Sequence, residues 1–105
     1  QSTLDRLVAS ADLWERRVAV LSTFHFIKHG DGGPALRLAE QLLGDPHDLI
    51  HKAVGWMLRE VGKRVSMHEL TAFLDAHAAR MPRTMLSYAT EHLPPERRAA
   101  YRALR

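Results

Sequence analysis

The chain has 105 residues, 15 lysines and arginines against 12 acidic residues, and no cysteine. That length fits one domain able to bury a core without staples. The missing cysteine excludes disulfide frameworks and thiolate metal sites and makes a reducing compartment the natural home. The net charge of +3 permits an anionic partner without demanding one, and no apolar run nears the roughly 20 residues of a bilayer span.

Almost every segment reads as helix, because Leu and Ala are abundant, β-branched residues are sparse and strict alternation is absent. Gln1-Ser2 is not a natural start, and no signal-peptide pattern follows it, so the chain reads as a fragment of something longer. Ser2 to Ala9 looks like the end of a helix. Asp12 is the expected N-cap of a long helix to about His29, with Leu13, Val20, Leu21, Phe24 and Ile27 at helical spacing. The Gly30–Pro34 stretch ends it, and a short helix is expected from Pro34 to Leu43.

After Gly44-Asp45-Pro46, a helix is expected from Asp48 to Gly62, with Gly62 as the C′ glycine. Ser66-Met67-His68-Glu69 matches a capping box and opens a helix to about Ala79. Pro82 opens another, ending near His92, and Pro94-Pro95-Glu96 opens the last. The sum is three helical hairpins behind an N-terminal stub, joined by short loops.

Two of these helices carry a Trp followed three residues later by an Arg: Trp14 with Arg17, and Trp56 with Arg59. Residues three apart share a helix face. From position 14 to position 56 is 42 residues, inside the roughly 40–47-residue period of HEAT-like helix pairs. The expected fold is therefore all-α, a HEAT-like helical-repeat solenoid forming a single domain over 1–105. An aromatic plane beside a guanidinium suits a nucleic-acid strand. Lys52, Trp56, Arg59 and Lys63 also fall on one stripe of their helix, a phosphate track if that stripe faces a groove.

His47 with His51, and His25 with His29, have i, i+4 spacing, but neither pair has an obvious third ligand, and no metal or cofactor is expected. Trp14, flanked by apolar residues, reads as core. Arg59 reads as a structural ion pair, with a neighbour of Glu60 or with Asp48. Arg16, Arg97, Arg98, Arg102 and Arg105 read as solvated surface.

The wording of three segments is more specific. Leu13-Trp14-Glu15-Arg16-Arg17-Val18-Ala19-Val20 resembles the L-W-x-R-R-x-A-[IV] block of the DNA alkylation repair family, the AlkD-like DNA glycosylases. Lys52-Ala53-Val54-Gly55-Trp56-Met57-Leu58-Arg59-Glu60 is similar to its K-A-[IV]-G-W-x-L-R-E block. Met81 to Pro94 resembles its C-terminal block, in which a Tyr-Ala pair, here Tyr88-Ala89, precedes a Glu and the helix end.

The resemblance implies a HEAT-like solenoid that holds duplex DNA containing alkylated purines and hydrolyses the N-glycosidic bond of N3- or N7-alkylated purines. It implies an intracellular, cytoplasmic and nucleoid-associated protein without a cofactor. It places Arg17 at a DNA phosphate and Trp56 in the cleft beside the lesion's sugar; Lys52, Lys63 and Arg83 are added from helix position and charge. The family's catalytic Asp lies about one repeat (~40 residues) before the Arg17 block. Neither Asp5 nor Asp12 stands in that context, so no catalytic residue is assigned, the chain is expected to be the C-terminal part of a longer glycosylase, and alone it is expected to be inactive. The alternative is a non-catalytic HEAT-like scaffold binding DNA or protein. Self-association through an apolar N-terminal face is a further expectation.

Overall fold

A computed structural model of the chain describes residues 2–105, with side chains from Thr3 onward; Gln1, part of the reading of the chain's start, lies outside them. Helices α1 (Ser2–Val8), α2 (Leu13–Ser22), α3 (Phe24–Lys28), α4 (Gly33–Gln41), α5 (Asp48–Arg64), α6 (Met67–His77), α7 (Arg83–Ala89) and α8 (Pro95–Ala103) follow one another, with a 3₁₀ turn at Ala78–Arg80. No strand occurs among the described residues, and no helix there is long and apolar enough to cross a membrane.

Local chemistry sets most boundaries. Asp12 caps α2 by accepting from the Trp14 amide, and Ser66 caps α6 by accepting from the Glu69 amide. The long helix expected over 12–29 is instead two. Thr23, fully buried, turns its hydroxyl back onto the Val20 carbonyl, a bond that competes with the helical ladder, and α3 starts afresh at Phe24. Gly30 ends α3 at φ 85°, with the Asp31 amide donating to Phe26 and the Gly30 amide to Ile27. This is a Schellman motif, which a glycine satisfies without strain.

Gly62 is not a C′ residue. Helix α5 runs two residues past it, to Arg64, and a Cβ at Gly62 would lie 2.5 Å from the Leu70 Cδ2. Its small size serves packing against α6 rather than a turn. The helix expected to reach Ala79 tightens into the 3₁₀ turn after His77.

The packing forms two layers. Helix α5 is the hub, packing against α2, α3, α4, α6 and α7: Phe24 of α3 meets Trp56, Met85 and Tyr88 of α7 meet Gly55, and Leu70 of α6 meets Gly62. Helix α8 backs α7, and α1 packs on α2 and α4. The shortest dimension is 18 Å, about two helix diameters of roughly 10 Å. One apolar core runs between the layers, with Val20, Ile27, Leu38, Leu58, Leu74 and Leu86 among the buried side chains.

The α5–α7 contact is unusually close. A Cβ on Gly55 would lie 2.6 Å from both the Met85 carbonyl oxygen and the Tyr88 Cβ. Only glycine permits that approach. Gly55 meets residues 85 and 88, and Arg59 meets Glu91, so the two helices run in the same direction with α6 returning between them.

Gly55→Ala is expected to lower stability by about 2 kcal/mol in urea unfolding, despite the ~1 kcal/mol better helix propensity of alanine. Gly62→Ala, whose nearest neighbour is the movable end of Leu70, is expected to cost less. A Gly55→Ala protein as stable as the parent contradicts the close approach.

Candidate nucleic-acid interface

Helix α5 is buried towards α4 and α6, and its outward stripe is Lys52, Trp56, Arg59 and Lys63. The helical period alone puts them in line. Trp56 is 40% exposed. Its ring centroid lies 6.5 Å from that of Phe24, the first residue of α3, so the break at Thr23 brings Phe24 to the edge of this stripe. The Lys28 amine and the Arg64 guanidinium each lie 5.2 Å from the Phe24 ring centroid, within cation–π range. The result is an aromatic pair set among cations on the outer layer.

The Trp14 expectation is corrected. Trp14 is 59% exposed, and Val18 beside it 56%. Helix α2 buries Arg16, Ala19 and Val20 instead, which turns Trp14 and Val18 outward on the opposite stripe with Arg17 at its edge. The error came from counting apolar neighbours without fixing which stripe of α2 meets α5. Trp14 therefore shares a face with Arg17 and belongs with the surface residues.

The same rotation corrects Arg16. It is not solvated: its side chain is 11% exposed, its Nε donates to Asp45 Oδ2 at 2.7 Å, and its Nη1 donates to the Ser10 carbonyl at 3.0 Å. Asp45, 5% exposed at its side chain, also accepts from the His47 amide at 2.9 Å. This buried pair ties α2 to the loop that leads into α5. Arg17, one residue on, is half-buried and makes no ion pair or side-chain hydrogen bond among the described residues. Adjacent arginines thus divide into one held inside and one left available.

The remaining cations divide in the same way. Arg59 donates to Glu91 and to Glu60, and Arg64 donates to Glu60 at 2.6 Å. The ion pair expected of Arg59 is present, with Glu91 and Glu60 in place of Asp48. Burial pushes the Glu60 carboxyl up. The Arg64 hydrogen bond and charge, followed by Arg59 and Lys63, outweigh it and hold Glu60 below its ordinary value. Glu60 is thus ionised and bound to structural arginines, unsuited to proton transfer at neutral pH.

Lys52 bridges Asp48 at 3.4 Å, an exposed i, i+4 pair of small worth. Lys63 is exposed and without an ion pair among the described residues. Arg83 is exposed at the start of α7 and is likewise unpaired there, but it lies on the flank of α7 turned from α5, away from the α5 stripe.

At the C-terminal end, Arg98 is half-buried rather than solvated. It donates to the Ser87 carbonyl and the Thr90 hydroxyl, tying α8 to the end of α7. Arg97 donates to the Tyr101 hydroxyl, which donates to Asp75 at 2.7 Å. Burial, then this bond to Asp75, pushes Tyr101 above its ordinary value. Arg102 and Arg105 are exposed.

Asp5 pairs with Arg37 and Asp12 serves as a helix cap. The His25 and His29 rings lie 4.7 Å apart. No group of three or more potential metal ligands occurs among the described residues.

Arg16→Ala is expected to destabilise the fold by about 3 kcal/mol, because it strands a buried Asp45, whereas Arg17→Ala is expected to change stability by less than about 0.5 kcal/mol. Thermal and urea unfolding of the two variants decide this. Equal costs contradict the division of roles.

No curated protein and no solved structure matches the chain. The family model described as DNA alkylation repair enzyme matches residues 1–93, a span that includes both Trp-x-x-Arg segments, the Gly55 contact and all of α7. On that match, the chain belongs to the DNA alkylation repair enzyme family.

Proposed function

We propose that these 105 residues form the DNA-holding part of an alkylpurine DNA glycosylase, with the outer layer of α2, α3, α5 and α7 against the duplex. Each outer helix with its backing helix is read as one HEAT-like repeat. The observation that carries the proposal is the outward face itself: unpaired Arg17 on α2, and Lys52, Trp56 and Lys63 on α5, next to Phe24.

The chemistry fits these residue types. Arg17 offers a forked, charge-assisted contact to a phosphate and thereby fixes the register of the strand. Lys52 and Lys63 supply charge along the backbone; Lys52 needs only to leave an exposed partner. Arg83, beyond α7, extends the basic surface. An N3- or N7-alkylated purine carries positive charge, and cleavage of its glycosidic bond passes through an oxocarbenium-like state. The face of Trp56 stabilises a nearby cation by about 0.5–2 kcal/mol.

A carboxylate is also required to stabilise that charge or orient the water. Glu60 and Glu91 are bound by Arg59 and Arg64, Asp5 pairs with Arg37 of α4, and Asp12 caps α2. The resemblance assigns the catalytic Asp to the repeat before the Arg17 block. These 105 residues are therefore proposed to bind damaged duplex DNA without excising the base.

The test is fluorescence anisotropy with a duplex containing 7-methylguanine, at several salt concentrations, alongside an assay for released base. Affinity is expected to fall steeply with salt. Arg17→Ala is expected to weaken binding about tenfold, the worth of one charge-assisted contact, and no base is expected to be released. Binding indifferent to salt and to Arg17→Ala contradicts the DNA-holding role. Efficient release of 7-methylguanine contradicts the assignment of the carboxylate.

A further inference from the structure

Three arginines line one recess where the start of α7 meets the end of α8, away from the α5 stripe. Arg83 at the start of α7, Arg102 in the last turn of α8 and Arg105 just past it line this recess of about 560 Å³ together with Ala79 and Leu86. Among the described residues, no acidic side chain lines it. None of the three guanidiniums has an ion pair or a side-chain hydrogen bond among the described residues. Arg102 and Arg105 lie beyond the stretch of the family match, which ends at residue 93.

Three like charges around one recess repel each other, and no side chain in its lining offsets them. The C-terminus of α8 favours a cation at Arg102, but that does not account for Arg83, which comes from another helix. Elsewhere in the chain, arginines that approach a neighbouring helix are given a partner: Arg16 has Asp45, Arg59 has Glu91, and Arg98 has the Ser87 carbonyl. What the recess lacks is an acceptor able to take several forked donors at once. A phosphate group, tetrahedral and with oxygens on every side, is the anion that guanidiniums satisfy best.

Position on the fold selects the kind of phosphate. Residues 85 and 88 of α7 meet Gly55 of α5, so Arg83 stands on the opposite flank of α7. A strand crossing the outer layer from α2 over α5 and α7 arrives next at Arg83. We propose that Arg83, Arg102 and Arg105 form a second phosphate site, which holds a backbone phosphodiester of the nucleic acid after it leaves the α5 stripe. The site rests on the DNA-holding reading for its occupant but not for its chemistry. It anchors the flanking duplex and carries no sequence information, as backbone contacts do.

The test uses the 105-residue chain and the double variant Arg83→Gln, Arg102→Gln, both at exposed positions and checked for unchanged thermal unfolding. Two measurements are made: anisotropy with a duplex long enough to span the layer, over a salt series, and a titration with inorganic phosphate followed by the NMR signals of the arginine Nε–H groups.

The expected result is a several-fold loss of duplex affinity in the double variant and a log–log salt slope shallower by about one to two. Inorganic phosphate is expected to move the signals of Arg83, Arg102 and Arg105 and leave that of Arg97 in place. An unchanged affinity and slope in the double variant, while Arg17→Ala still weakens binding, overturns the site and leaves the DNA-holding reading intact. Phosphate-induced shifts without any effect on duplex affinity mark a site for the free anion only and also overturn the proposal. A parent chain that binds no duplex overturns both readings together.

Discussion

The backbone-to-backbone approach of α5 and α7 at Gly55 is the constraint from which the outer surface follows. With no Cβ at position 55, α7 lies close enough for the Met85 carbonyl and the Tyr88 Cβ to meet α5 directly. The two helices then run side by side in one direction, and Arg59 reaches Glu91 across the seam. Because α2, α3, α4 and α6 also pack against α5, only one stripe of it is left to solvent. Lys52, Trp56 and Lys63 stand there for want of any other place in the packing. A bulkier residue at 55 would splay α7 away, open the seam and tilt the surface on which Trp56 sits.

Charge is sorted on the same frame. The arginines that point into the fold are paired, Arg16 with Asp45 and Arg59 with Glu60 and Glu91, and the exposed Arg64 also pairs with the buried Glu60. These pairs join α2 to the loop before α5, and α5 to α7. They leave the net positive charge of the chain on Arg17, Lys63, Arg83, Arg102 and others that have no acidic partner among the described residues. A modest total charge thus becomes a directed one. This is also why the overall charge count says little about a partner: it averages structural cations with available ones.

Much of the fold was legible in the sequence because it is written locally. Asp12 and Ser66 as caps, Gly30 as a helix end and the prolines at 34 and 95 each act within one turn, and helices appear where those signals put them. The features that were misread depend on contacts distant along the chain. Thr23 breaks a helix that periodicity alone would continue, since its back-bonding hydroxyl leaves no mark in the hydrophobic pattern. Gly62 reads as a C′ glycine from its place near a helix end, yet it is small because Leu70 presses on it. The rotation of α2 decides whether Arg16 or Arg17, and Trp14 or Ala19, is inside. An eight-residue block with apolar groups on several sides does not define that rotation until Asp45 is known to lie next to it. The α5 stripe was readable, because a 17-residue helix averages its period over several turns.

One measurement addresses the claim that the outer layer is a single DNA face. The chain has two tryptophans, one on α2 and one on α5, and each gives one indole N–H signal by NMR. On titration with duplex DNA, the signals of Trp14 and Trp56 are predicted to shift together along one saturation curve, while the amides of α4 and α6 stay in place. Shifts confined to α4 and α6, with both indole signals unmoved, would contradict the account.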